Sequence, residues 1–288
     1  MSSQITTAFV EQYSANIQML SQQMGSLLRD AVRNESIVGK DAYFDQIGKV
    51  TAIKKTSRHS DTPQIDTPHS RRRVSLADYE FADLIDQQDK VRLLIDPTSS
   101  YAKAAAYAMG RAMDDVIIAA ALGSANTGVS GGTAVALPAG NITAVGTGGA
   151  NTMNIAKLAL AKAKLDLGDV DPSITRHIIV SPTEIQDLLN TTTITSSDFN
   201  TVKALVQGEI DSFMGFKFHV SNRLVDNGAA NTQCIAFAED GILLGVGKDV
   251  TARIDERSDK SYATQVYYCQ TIGATRMEEA KVISVLAN

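Results

Sequence analysis

Two cysteines and four histidines are the whole supply of thiol and imidazole in these 288 residues. Cys234 and Cys269 lie far apart in strand-like text with no CxxC pair, which fits buried free thiols in a reducing compartment rather than a disulfide. His59, His69, His177 and His219 fall at no metal-ligand spacing and beside no evident nucleophile, so each reads as an ordinary polar or interface residue. Long apolar runs are also missing: VIIAAAL at Val116 to Leu122 is the longest aliphatic stretch, far short of the roughly 20 residues of a membrane helix. The start, MSSQITTAFVEQYSANIQMLSQQ, has neither the charged beginning nor the apolar centre of a secretion signal, so a soluble, cytoplasmically made protein with no membrane partner is expected. An excess of positive charge is absent too. With 27 basic and 32 acidic residues the net charge is -5, which argues against a general nucleic-acid binder.

Catalytic motifs are as scarce. GILLGVGKD at Gly241 to Asp249 has glycines at the wrong spacing for a phosphate loop, and Asp249 stands where a magnesium-binding hydroxyl belongs, so strand and turn is the better reading. There is no GxGxxG and no GxSxG. The neighbouring carboxylates Asp114 and Asp115, like Glu278 and Glu279, do not converge on one point and read as solvated pairs. Neither an enzyme activity nor a cofactor is expected.

What the chain does hold is organisation. Residues 1 to about 47 are polar, with Ile17, Leu20, Met24, Leu27 and Leu28 at the spacing of one amphipathic helix. From Gly48 to about Arg92 helical spacing gives way to alternating pieces, VTAIKKT and RRVSLADYEF, separated by a breaker segment with Pro63 and Pro68, which suits a long two-stranded excursion. Asp96 as cap, Pro97 at the first helical position and Gly123 as terminator then enclose an alanine-rich helix of about 26 residues, with Gly110 inside it marking a tight crossing. The Gly-rich stretch that follows could turn a hairpin at Pro138 to Asn141. Met153, Ala156, Leu160, Ala163 and Leu167 mark one face of a helix ended by Gly168. RHIIVS reads as a buried strand, Ser181-Pro182-Thr183-Glu184 as a capping box opening a short helix, and Phe199 to Gln207 as another helix. From Glu209 the period changes to two, giving antiparallel strands to the end, and the class is α+β.

The excursion carries an unusual charge pattern. From Lys49 to Arg73 there are seven bases, including Lys54, Lys55, Arg58, Arg71, Arg72 and Arg73, against two acids; from Val74 to Asp96 there are six acids against two bases. A segment this long without a core of its own is usually disordered or functional, and its alternation argues against disorder. Two readings stand side by side. The strands pair their own charges in a solvated hairpin, or the basic end reaches an acidic surface on a second copy of the chain, where charge sets register and partner choice.

A polar arm, a β excursion, a helix of the form YAKAAAYAMGRAMDDVIIAAALG, a helix-strand-helix domain and strands such as SFMGFKFHVSNRL and IAFAEDGILLGVG follow in an order that resembles the major capsid proteins of tailed bacteriophages. That resemblance covers nearly the whole chain and implies the Hong Kong 97-like fold: N-terminal arm 1–47, extended loop 48–92, peripheral domain with a spine helix 93–170, axial domain 171–244, and peripheral C-terminal strands 245–288. It implies a self-assembling structural protein that forms the hexamers and pentamers of an icosahedral head. The head would enclose double-stranded DNA without sequence-specific binding, with a separate scaffolding protein and a portal as partners, and be assembled in the host bacterial cytoplasm. Arg71, Arg72 and Arg73, with Lys54, Lys55 and Arg58, would then contact an adjacent subunit. The lysine–asparagine cross-link of some family members finds no matching motif here, so none is expected. A charged, cleaved scaffolding segment is also unmatched, so scaffolding is expected to be a separate protein or the sequence to be the mature form. An encapsulin-type compartment shell, or a soluble α+β enzyme with an unrecognised site, are the alternatives.

Overall fold

The computed structural model describes residues 22–59, 61–86, 98–149, 151–190, 212–228 and 231–288. They divide into two units, one drawn from Met1–Ser26, Asp78–Arg111 and Lys248–Gln270, the other from Leu27–Ala77, Ala112–Gly247 and Thr271–Asn288.

The larger unit is built round a six-stranded mixed sheet in the order β7-β14-β11-β8-β10-β9, with β7 Ile142–Thr143, β8 Arg176–Val180, β9 Ser212–Phe213, β10 Phe216–Val220, β11 Thr232–Ala238 and β14 Val282–Ala287. β8 pairs parallel with β10 and antiparallel with β11. All five residues of β8 are buried, as a strand flanked on both sides and covered on both faces must be. Leu158, Ala161 and Leu165 of helix α2 (Ile155–Leu167) and Leu188 of α3 (Pro182–Asn190) share one core cluster with Ile178, Val180 and Ile283 of the sheet. One half of the capping box at the start of α3 is formed: the Ser181 amide donates to Glu184 Oε2 at 3.1 Å, while the Ser181 hydroxyl turns to the same carboxylate.

The buried face of α2 is not the face its spacing suggested. Met153 is buried, but Ala156, Leu160, Ala163 and Leu167 lie outside, with Leu167 84% exposed. The helix is apolar nearly all round, so two stripes satisfied the same periodicity.

A second sheet of the larger unit has the order β2-β3-β5-β6: β2 Asp41–Ile47, β3 His69–Ser75, β5 Ala125–Thr127 and β6 Thr133–Val135. The excursion therefore starts its pairing at Asp41, inside what the sequence offered as the arm. VTAIKKT is not a strand. RRVSLADYEF is split, because β3 joins this sheet while β4 (Ala77–Ile85) joins a third, ordered β1-β12-β13-β4, with β1 Arg33–Ser36, β12 Ile242–Arg257 and β13 Ala263–Arg276. GILLGVGKD lies almost wholly within β12, with no loop for a phosphate. The hairpin of the Gly-rich stretch turns between β5 and β6, where Gly128 and Gly131 take positive φ, rather than at Pro138 to Asn141.

Helix α1 spans Thr98–Leu122, and Asp96 and Pro97 lie outside the described residues, as does the expected helix at 199–207. A Cβ on Gly110 would sit 2.4 Å from the Gly25 carbonyl carbon, so the tight crossing is real, but the neighbour is an irregular segment. At the far end, the Gly123 amide donates to Ala119 O at 2.8 Å, and the buried Arg276 side chain closes the last turn. The expected arm helix fails where it can be seen. Met24, Leu27 and Leu28 are non-helical, followed by a 3-10 turn at Arg29–Ala31, because the fully buried Asp114 carboxylate takes the Leu27 and Leu28 amides at 3.1 and 3.2 Å. Ile17 and Leu20 lie outside the described residues.

Candidate functional site

The excursion is a hairpin with a long open end. Its ladder runs from Asp41 opposite Ser75 to Ile47 opposite His69, and the Gly48 amide donating to Pro68 O at 2.8 Å closes the root. Beyond it, residues 49–59 and 61–67 are exposed throughout. Lys54, Lys55 and Arg58 stand on this segment with no partner among the described residues, whereas Lys49 pairs with Asp169.

The three arginines do not act together, because β3 alternates its faces. Arg71 points outward. It donates from Nε to Asp45 Oδ1 at 2.6 Å and lies 5.7 Å from the Tyr43 ring centre. This hydrogen bond holds the Asp45 carboxyl below its usual range and raises Arg71. Arg73, on the same face, lies 3.9 Å from Asp41, with its stem against Gly131. Arg72 points the other way and is 7% exposed, donating to Met277 O at 2.9 Å and to both Glu279 carboxylate oxygens at 2.5 and 2.6 Å. Its guanidinium is thus bonded within its own chain. The arginine run finds its partners in Asp41, Asp45 and Glu279 rather than in the acidic block after it. In that block, Glu80 instead accepts from Tyr267 at 2.8 Å, which pushes the phenol up to about 12.

A groove of about 620 Å³ is walled by Asp30 and Val32 before β1, Ile174 and Thr175 before β8, and Glu239 and Asp240 between β11 and β12. Asp30 and Glu239 have no partner among the described residues, and Asp240 takes Lys281 at 2.6 Å through Oδ2 alone.

Other groups surfaced only with the structure. Asp114 and Asp115 are no solvated pair: the first is buried on two amides, and the second pairs with Arg223. His177 and His219 meet across the parallel strands, Nδ1 to Nε2 at 2.9 Å. Burial first, then His219 and Lys217, bring His177 down to about 4; burial and Lys217 lower His219, while Asp114 opposes. Lys157 is fully buried, donates to Asn151 O at 2.6 Å and is lowered by burial. Cys234 is a buried free thiol pushed up by burial, but Cys269 is only half-buried, against Lys248 at 3.2 Å. Among the described residues no three His, Cys, Asp or Glu side chains gather round a metal position, and no helix is long and apolar enough to cross a membrane.

Comparison with known proteins points one way. Residues 5–288 match a family described as phage capsid protein. No curated protein sequence matches. Among solved structures, the capsid of the Cyanophage P-SCSP1u superposes with a TM-score of 0.76 at 16% identity, covering 100% of this chain and 95% of that one. The head of Helicobacter pylori bacteriophage KHP40 gives 0.75 at 11% identity (98% and 96% covered), and the capsid of Ralstonia phage GP4 gives 0.74 at 11% (97% and 95%). These likenesses show the fold: the α+β, Hong Kong 97-like architecture that the element order suggested.

Proposed function

The chain belongs to the phage capsid protein family, and we propose that it closes an icosahedral head from hexamers and pentamers of itself around a double-stranded DNA genome. It is a structural major capsid protein, it assembles with copies of itself into a capsid lattice, and its place is the virion. Neither the encapsulin nor the enzyme alternative is favoured by these findings.

The observation that carries the mechanism is the open end of the excursion, exposed at residues 49–59 and 61–67, where Lys54, Lys55 and Arg58 have no partner among the described residues. Such a segment gains its contacts from another copy. Identical chains meeting through unlike surfaces close into rings of six or five, and many modest contacts with adaptable arms tolerate both. In this reading residues 1–47 are the arm, 48–92 the extended loop, 93–170 and 245–288 the peripheral domain and 171–244 the axial domain, with the excursion's hairpin rooted in the arm's last residues. Work is done by association and without catalysis. A net charge of -5 suits a container whose genome must slide in during packaging. A separate scaffolding protein and a portal complete the head, in the cytoplasm of the host bacterium.

Electron microscopy of the purified chain, expressed alone and with the neighbouring head proteins, tests this. Closed shells or rings of five and six are expected; a homogeneous monomer under both conditions would overturn it.

A further inference from the structure

We propose that the groove walled by Asp30, Glu239 and Asp240 receives the cationic end of the excursion, Lys54 to Arg58, from a second copy of the chain. This deepens the shell-forming reading above and rests on it.

Three unpaired cations and an under-neutralised acidic groove occur on one polypeptide and do not meet within it. Lys54, Lys55 and Arg58 are exposed and without partners among the described residues. In the groove, Asp30 and Glu239 are likewise unpaired. Asp240 binds Lys281 through one oxygen, while its Oδ1, shielded from solvent, accepts no hydrogen bond. The only base on the groove wall, Arg33, is turned to Glu35 at 2.7 and 3.0 Å. Two free carboxylates in the groove therefore stand against three free cations on the excursion.

Shape and polarity agree with charge. The groove, about 620 Å³ and open to solvent, has room for extended side chains, and Val32 and Ile174 give it apolar wall against which lysine stems can lie. A second acidic groove, lined by Asp166, Asp169 and Asp171, is a poorer acceptor because Arg176 and Lys49 already engage Asp166 and Asp169. Charge pairing of this kind fixes which surface the excursion chooses and in what register, more than how tightly it holds.

The test is a charge exchange scored by shell yield on a density gradient. Asp30→Lys with Glu239→Lys, or Lys54→Glu with Lys55→Glu and Arg58→Glu, should each lower the yield of closed shells at least tenfold; all five together should restore most of it. Wild-type yield from the reversed groove, or no recovery in the combination, would overturn the assignment. A second readout does not depend on tolerating reversed charge: shells of Lys55→Cys with Glu239→Cys should give a ladder of chains linked by a short bis-maleimide that spans the length of the lost ion pair, absent from either single variant. Shells that form without the ladder sink the groove and leave the shell reading standing, whereas a wild-type chain that forms no shells sinks the reading itself.

Discussion

Arg276 donates from Nη1 to the carbonyl oxygen of Ala121 at 2.9 Å, tying strand β13 to the last turn of α1. The same nitrogen reaches Gly123 O at 2.8 Å, and Nη2 reaches Val135 O at 2.9 Å. A helix leaves its final carbonyls without partners and carries partial negative charge there, so a fully buried guanidinium is well matched to the position.

Removing that guanidinium should be costly. Arg276→Met keeps the stem but strips three carbonyls of their donor, and a loss of about 3–5 kcal/mol is expected. Urea unfolding of the variant beside the wild type measures it; a loss below about 1 kcal/mol would show that water replaces the guanidinium.

Glu279 sits between two buried cations, bonded to Arg72 and 3.8 Å from Arg276 Nε. Glu279→Gln preserves shape and removes the neutralising charge, so it should destabilise by about 3–5 kcal/mol. The double change Glu279→Gln with Arg72→Met relieves part of that repulsion. Its cost should fall short of the sum of the two single changes, which a double-mutant cycle reads directly.

The histidine pair predicts a pH dependence. Both rings titrate below the ordinary 6.5 in the fold, His177 at about 4, so as pH falls the unfolded chain takes up protons first. The share of His177 is intact above pH 6.5 and is lost between about 6.5 and 4, at a slope of up to roughly 1.4 kcal/mol per pH unit, and His219 acts in the same direction. His177→Phe, stacking on Phe237 as the imidazole does, should flatten the melting temperature across that window; an unchanged slope would clear His177 of the effect.

Gly110 offers a test by sign. In an open helix, Gly→Ala gains about 1 kcal/mol. Here the added methyl would lie 2.4–2.6 Å from the backbone of Gly25 and Ser26, so Gly110→Ala should instead lose about 1–3 kcal/mol. A stabilised variant, by thermal melting, would show that the segment at residues 25 and 26 yields easily.

What the sequence made legible was local. The stop signal at Gly123, the helix start at Ser181 to Glu184 and the strand at β8 with its Ile178-Ile179-Val180 run are each decided by neighbours in the chain, and each is where it was expected. The errors share one cause, partners distant in sequence. Nothing near Asp114 announces that it binds amides 86 and 87 positions earlier, and with them it dictates a bent chain where Leu27 and Leu28 looked helical. For α2, alanine and leucine on every side left two faces equally plausible, and only the sheet chose between them. The split of the arginine run was half legible, since three consecutive strand residues cannot share a face; that Arg72 was the inward one depended on Glu279, 207 positions away.

The closing of α1 by Arg276 also sets a timetable. When Ala121 is joined to the growing chain, its donor is still 155 residues from being made. At roughly 5–20 residues per second the helix end waits about 8–30 seconds for its cap. During that interval the last turn of the longest helix is held by its own short-range bonds and by water. Completion of the fold is thereby deferred until almost the whole chain has been synthesised, which delays the moment at which one copy can offer finished surfaces to the next.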